Sequence, residues 1–480
     1  MKSKNKISSS DDKKKFFRKI FVKLKKNYLF NRNLHLLMGT NVFENSLFKN
    51  NDLYNCLNNK KKKSFFFINF IKFLTLFLKL IIFKFLTPKN KFQKSNKEKI
   101  LILSYLPQTN FFENYSNFNS YQWGNNLDNY KSHFQFEFMH IFPLNFFSSQ
   151  KLMNYILKKN KKENETHLFF LNYISFKEII FLSFTIIFKN KFFLKNEDPV
   201  DNYINESTKL HHLMESKLWD KIFLNFFMIH NNYVKCLYLF ENQNWEKFLL
   251  YHWRKLVNKD IIPFNHSICR YNDFRTFSSI YFSKFKILKN YFPNKLIIDD
   301  NISFKNIRAF DKKFKIFKVS NYEQKIKLNY KKNKIALVIG DINLETSERL
   351  MQISLQLKKK NLLNKIIYKP HPSNTIKSKN DDYEVYLKEL RYFKKKINYV
   401  FCANSTTSAV KIYQYFKKVF VYIPKNKINL SPLFNIDNEI FYSDFDEILN
   451  LVRNNTKKSQ KKNIIYYKNL KSKVFIIRRN

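Results

Sequence analysis

Three short apolar runs in the last third of the chain each end in a polar turn. Ala336–Ile339 stops at Gly340-Asp341, Ile366–Tyr368 at Lys369-Pro370-His371-Pro372, and Tyr399–Ala403 at Asn404-Ser405-Thr406-Thr407-Ser408. Runs this short and apolar read as buried strands, and the amphipathic stretches between them as helices, which predicts parallel βαβ units. The same alternation precedes them. Ile100–Leu103, Phe134–Phe142, His167–Leu171, Val234–Phe240, Ile261–Phe264 and Leu296–Ile298 read as strands; Tyr121–Tyr130, Ser149–Lys159, Asn202–Asn232 and Asn242–Lys259 read as helices. Val419–Ile423, Ile440–Phe441 and a helix at Asp444–Arg453 close the second series. The expected fold class is α/β, with two Rossmann-like domains.

The domains follow from composition. Residues 1–95 form a basic extension, 96–315 a first Rossmann-like domain, and 316–332 a lysine-rich linker. Residues 333–455 form a second Rossmann-like domain, and 456–480 a basic tail. Met1–Asn33 has no uninterrupted apolar core and no small-residue cleavage site, so it reads as a mobile tail or loose basic helix, not a secretory signal. Ser64–Leu86 is strongly apolar, interrupted by Asn69, Lys72, Lys79 and Lys84. Its length predicts a helix outside the sheet. A spanning helix would put Lys79 near the hydrocarbon centre at ~3 kcal/mol. An interfacial helix on an anionic membrane surface and a helix packed on the protein itself are the other two readings.

The formal net charge of +51 over 480 residues would ordinarily suggest nucleic acid. Here Lys, Asn, Ile and Phe are inflated throughout, Lys far outnumbers Arg, and clustered arginine forks are scarce, so no nucleic-acid partner is expected. Only Gly39, Gly124 and Gly340 are present, which excludes G-x-G-x-x-G and the P-loop. Four widely spaced cysteines suggest no zinc site and a reduced, cytoplasmic chain. If Ser64–Leu86 lies in an interface, the chain sits peripherally on the cytoplasmic face of the inner membrane.

In an open parallel sheet, ligands bind beyond the carboxyl ends of the strands. Pro370 and Pro372 end their strand and hold His371 there. Ser405, Thr406 and Thr407 then open a helix, whose unpaired N–H groups and hydroxyls favour phosphate. Alone, the first motif also fits a rigid turn and the second an N-cap. Two such motifs in successive βα units favour a phosphate clamp of His371, Ser405, Thr406 and Thr407, with Lys369 adding charge and Asn404 orienting the turn.

These motifs resemble the C-terminal half of GT-B glycosyltransferases, above all the sialyltransferase, polysialyltransferase and capsule Kdo-transferase groups. CDP-glycerol transferases share a related pattern. Glu241-Asn242-Gln243-Asn244-Trp245-Glu246, Phe264-Asn265-His266-Ser267, Asp273-Phe274-Arg275, Tyr121-Gln122-Trp123-Gly124 and Leu430-Ser431-Pro432-Leu433 resemble a family of bacterial surface carbohydrate biosynthesis proteins. The resemblance covers about Lys99 to Arg453. It implies a GT-B-like fold with the two domains facing a cleft, residues 96–315 on the acceptor side, 333–455 binding the nucleotide-sugar and the basic tail crossing back to the first domain. It also implies inverting transfer from a CMP-activated acidic sugar to a glycan or lipid-linked acceptor in capsule, O-antigen or lipopolysaccharide synthesis. A CDP-alditol transferase and a non-catalytic basic membrane protein are the alternatives. Glu241 and His266 follow first-domain strands and are the candidate catalytic groups. Each also fits a structural role, Glu241 as an N-cap. Asp444-Phe445-Asp446 reads as capping rather than a metal motif. The nucleotide-sugar donor is the expected ligand; no metal cofactor is called for, because the helix end and His371 can stabilise the leaving phosphate.

Overall fold

The computed structural model describes residues 10–26, 35–40, 66–90, 96–105, 132–141, 166–189, 199–265, 267–318, 329–371, 382–388, 390–413, 418–425, 427–437 and 439–454, together with 150, 153, 154, 156, 157 and 416. Seven parallel strands make the first sheet: β1 (Glu98–Tyr105), β2 (Phe134–Ile141), β3 (Thr166–Phe169), β4 (Tyr233–Leu239), β5 (Asp260–Phe264), β6 (Lys295–Ile298) and β7 (Lys315–Lys318). Their order is β3-β2-β1-β4-β5-β6-β7. After a small ladder of β8 (Asn329–Tyr330) with β12 (Lys396–Ile397), a second sheet is built from β9 (Ile335–Ile339), β10 (Lys365–Lys369), β11 (Glu384–Val385), β13 (Tyr399–Ala403), β14 (Val419–Tyr422) and β15 (Phe441–Tyr442). Its order is β11-β10-β9-β13-β14-β15, also all parallel. Both sheets therefore start in the middle, run outward one way, and then jump back across the first strand. That is the Rossmann order, with a topological switch point between β1 and β4 and another between β9 and β13.

The strands are apolar on both faces because both faces are covered. Along β1, Leu101 and Leu103 enter one core and Ile100 and Ile102 the opposite one. Along β9, Leu337 and Ile339 face one core while Ala336 and Val338 face the other. The period of two in strand side chains produces this split. β7 carries the first sheet into the stretch expected to link the domains. Its exposed lysines hide a strand signal. Tyr121–Tyr130 and the tail from residue 456 lie outside the described residues.

The extension departs from the sequence reading. Helix α1 (Ser10–Lys26) is no loose tail: Phe16, Phe17, Ile20 and Leu24 are buried on the first domain. Their spacing puts them on one helix face, a stripe masked in the sequence by eight lysines and arginines. Lys13 reaches the Tyr271 carbonyl, with its ammonium 3.8 Å from the centre of the Tyr271 ring. Burial lowers this lysine to about 8. Ser64–Leu86 does yield a helix, α2 (Phe66–Leu86), outside the sheet. It packs on α3 (Phe176–Lys189) and α4 (Leu210–Ile229). No helix among the described residues is long and apolar enough to cross a membrane.

Candidate functional site at the second switch point

At the carboxyl edge of the second sheet, β9 lies between β10 and β13. The residues that follow these strands are therefore neighbours, although up to 64 positions separate them in sequence. β9 is followed by Gly340, where an added Cβ would lie 2.7 Å from the Tyr368 hydroxyl and 3.1 Å from the Ser347 hydroxyl, so a side chain there would push both aside. The next residue, Asp341, is buried and central. Its carboxylate accepts the Ser405 N–H at 3.0 Å, the Ser405 hydroxyl at 2.8 Å and the Asn343 N–H at 3.0 Å. His371, after β10, is half-buried. Burial lowers its imidazole below the usual range, while the Asp341 charge opposes that shift and Lys369 adds to it. Asp341 thus touches one expected cluster and is felt by the other. It was not among the candidate residues, although its place after the first strand of the second series was visible.

The expected donors are arranged differently from the sequence reading. The Ser405 N–H and hydroxyl both point to Asp341, so Asp341 and not an open helix end holds them. The helix that follows, Ser408–Tyr413, starts one residue beyond Thr407. Thr406 and Thr407 are partly exposed beside it. Asn404 is buried and grips the 428–430 segment, donating to the Ile428 carbonyl at 2.8 Å and accepting from the Leu430 N–H at 2.9 Å. Lys369 Nζ donates to the Leu387 carbonyl at 3.2 Å.

The first domain reaches this edge through the loop after β5. Arg270 Nη2 donates to the Ser405 carbonyl at 2.8 Å, and Asn272 to the Asn429 carbonyl at 2.9 Å. Ile268 joins a second-domain core, while Ile428 and Leu430 join the large first-domain core, so the loops interlock. Arg270 is fully buried. Its Nη1 lies 3.9 Å from Asp273, beyond hydrogen-bond reach, and its Nε has no hydrogen-bond partner among the described residues. Burial, then Arg275, bring this guanidinium down to about 10, against the pull of Asp273 and Asp341. Asp273 takes four hydrogen bonds from Arg275, and Glu241 is felt at Arg275. A chain of charges, buried at Arg275, Asp273, Arg270 and Asp341, therefore runs from partly buried Glu241 to the second domain. Arg270 carried no motif in the sequence; only its place in a strand-end loop could have marked it.

Glu241 follows β4 with Gln243 Nε2 on its carboxylate at 2.7 Å. The rest of that motif is a cap. Glu246 accepts the N–H groups of Glu241, Asn242 and Gln243, and Gln243, not Glu241, is the N-cap of α5 (Asn244–His252). Burial raises the Glu246 carboxyl, while Lys247 and these N–H groups oppose the rise. His266 lies outside the described residues. Asp444 caps the late helix by accepting the Glu447 N–H at 3.0 Å.

One group among the described residues could hold a metal: His35, Asp220 and His252, away from this edge. Asp220 bridges the two imidazoles at 2.5 and 2.7 Å. Burial would raise its carboxyl, but the His252 and His35 bonds hold it at about 2. The trio is satisfied as a hydrogen-bonded bridge.

No family model and no curated protein match this chain. Solved structures that resemble it include the glycotransferase of kitacinnamycin (7% identity, TM-score 0.39, covering 75% of this chain and 91% of that one). UDP-N-acetylglucosamine 2-epimerase from Rickettsia bellii aligns at 11% identity and TM-score 0.38, over 76% and 89% of the two chains. Apo UGT2 from Phytolacca americana aligns at 9% and 0.41, over 74% and 90%. Values this low leave the function to the site itself. The strand orders make the fold GT-B-like: two Rossmann-like domains meeting through loops beyond their strand ends.

Proposed function

We propose that the protein is a glycosyltransferase that takes a nucleotide-sugar donor at the second switch point. The observation that carries this reading is the convergence of His371, Asp341 and the Ser405–Thr407 turn at one sheet edge, with buried Arg270 arriving from the other domain. In the proposed reaction, an acceptor hydroxyl oxygen attacks the anomeric carbon as the bond from that carbon to the phosphate oxygen breaks. The electron pair leaves with the phosphate and the hydroxyl proton passes to a base, for which Glu241 is our candidate. His371 and Arg270 face the developing phosphate charge, where preorganised donors act most strongly. The CMP-linked acidic donor, and a glycan or lipid-linked acceptor of a bacterial surface polysaccharide, rest on the motif resemblance at Lys369–Pro372 and Asn404–Ser408.

Calorimetric titration with CMP, CDP and UDP tests this. Tightest binding by CMP, weakened in His371→Ala, supports the donor assignment. Preference for CDP moves the donor to a CDP-alditol. Absence of binding by all three nucleotides overturns the reading and favours a non-catalytic protein.

A further inference from the structure

α2 buries one stripe and exposes its opposite. Asn69, Phe73, Leu80, Phe83 and Thr87 face the protein. Ile71, Leu74, Leu78, Ile82 and Phe85 recur three and four residues apart on the other side, all exposed. α3 repeats the arrangement: Ile179, Ser183 and Ile186 are buried, while Ile180, Phe181, Phe184 and Phe188 are exposed. The two helices lie side by side on α4, so their outward faces are continuous. Thirteen of the 23 exposed large hydrophobic residues among those described sit on these two helices. Scattered exposure is ordinary, but this concentration marks an interaction surface.

The polar groups indicate what covers the surface. The exposed Thr75 hydroxyl donates to the Ile71 carbonyl of its own helix at 2.8 Å, so it brings no unmet donor into an apolar medium. α2 has no acidic residue, and exposed Lys72 and Lys79 flank the apolar face on one side. Lys60–Lys63 immediately precede the helix in sequence. Glu178, the acidic residue of α3, is neutralised by Lys221 at 3.1 Å and by the Ser175 N–H at 2.7 Å. Lys84 is turned inward, donating to the Leu171 carbonyl at 2.9 Å. An apolar plane with a cationic border and no unneutralised acid matches the boundary between acyl chains and anionic headgroups.

We propose that α2 and α3 form a two-helix platform that seats the protein on an anionic lipid bilayer, with the helices lying in the interface. A single helix was the most the sequence suggested; the second, about 100 residues later, doubles the apolar face. The inference does not depend on the donor-site assignment.

The test is flotation of the full chain with vesicles of phosphatidylcholine alone or with phosphatidylglycerol. Binding should need the anionic lipid and persist in part at 1 M salt, since salt screens lysines but not buried rings. The triple variant Phe85→Ser, Phe181→Ser, Phe188→Ser should lower partition by about a hundredfold, from the loss of three rings at the interface. All three side chains are more than 60% exposed, so the fold should remain. In an otherwise unchanged chain, Phe181→Trp should shift its emission to the blue on adding anionic vesicles. Absence of vesicle binding overturns the proposal. So does a concentration-dependent dimer abolished by the triple variant, which would give the face to a second copy. Binding lost completely at 1 M salt would reduce the contact to lysine attraction and overturn the platform.

Discussion

The loops after β4 and β5 and those after β9, β10 and β13 sit at matching edges of two sheets with one strand order, yet they are bonded differently. In the first domain most of these bonds close on near neighbours: Glu246 caps Glu241–Gln243, and Asp273 pairs with Arg275 two positions on, while Arg270 and Asn272 reach across to the second domain. In the second domain the bonds run between strands, with Asp341 joined to Ser405 across a switch point. Local closure stabilises a loop and fixes the few groups it leaves for chemistry, here Glu241 and Arg270. Convergence of distant residues at a switch point builds a surface that no single loop could make.

The comparison breaks first at Asp273. This carboxylate is fully buried between Arg270 and Arg275; burial would raise it, but the two guanidinium groups hold it below its usual range. Asp273→Asn removes the charge and keeps the shape, leaving two buried cations without their counterion. Loss of one partner from a buried pair costs about 3–5 kcal/mol, read as a lowered urea midpoint. A change below about 1 kcal/mol would mean that the network is not closed as described.

His371 gives the next largest effect, on function rather than stability. His371→Ala should cost about 3 kcal/mol at the leaving phosphate, roughly a hundredfold in turnover, with little change in the urea midpoint. Its pH dependence has a definite sign. Burial disfavours the imidazolium in the fold, so the unfolded chain takes up that proton more readily, and this group's contribution to stability is lost as pH falls below about 6.5. A bound phosphate favours the imidazolium, so nucleotide affinity should rise over the same window. In His371→Ala the nucleotide profile should lose that component; an identical profile in both proteins would remove His371 from the site.

The fold was largely legible because parallel strands buried on both faces leave continuous apolar runs. Every such run within the described residues became a strand, give or take a residue or two. The misses have physical causes. α1 was hidden by lysines on its solvent side, and β7 has only Ile316 and Phe317 between lysines. Of the candidate site, the placement of His371 and the Ser405–Thr407 turn at one sheet edge was legible from strand-end chemistry. Asp341 and Arg270 were not, because their importance comes from the order of strands and from domain contact, neither of which is local in sequence.

Asn404 probes the joint between the domains. Its amide satisfies both Ile428 O and Leu430 N, and both residues belong to the first-domain core. Asn404→Ala leaves two buried backbone groups unmet, at about 2 kcal/mol. Asn404→Asp keeps the acceptor but sets a buried carboxylate against the Ile428 carbonyl, so at neutral pH it should cost at least as much as alanine by chemical denaturation.

The smallest effect concerns Ser405. Ser405→Ala removes the hydroxyl from Asp341 but keeps the N–H bond and the Arg270 contact on the carbonyl, so about 1 kcal/mol of stability should be lost. The informative quantity is its coupling to Asp341→Asn. If the Asp341 carboxylate holds the turn, the double variant should cost less than the sum of the two single ones, because each single change already removes the same bond. Nucleotide affinity should fall less in Ser405→Ala than in His371→Ala, since the hydroxyl is already held by Asp341. A loss in affinity as large as that of His371→Ala would mean that the hydroxyl turns from Asp341 to the phosphate when the donor binds.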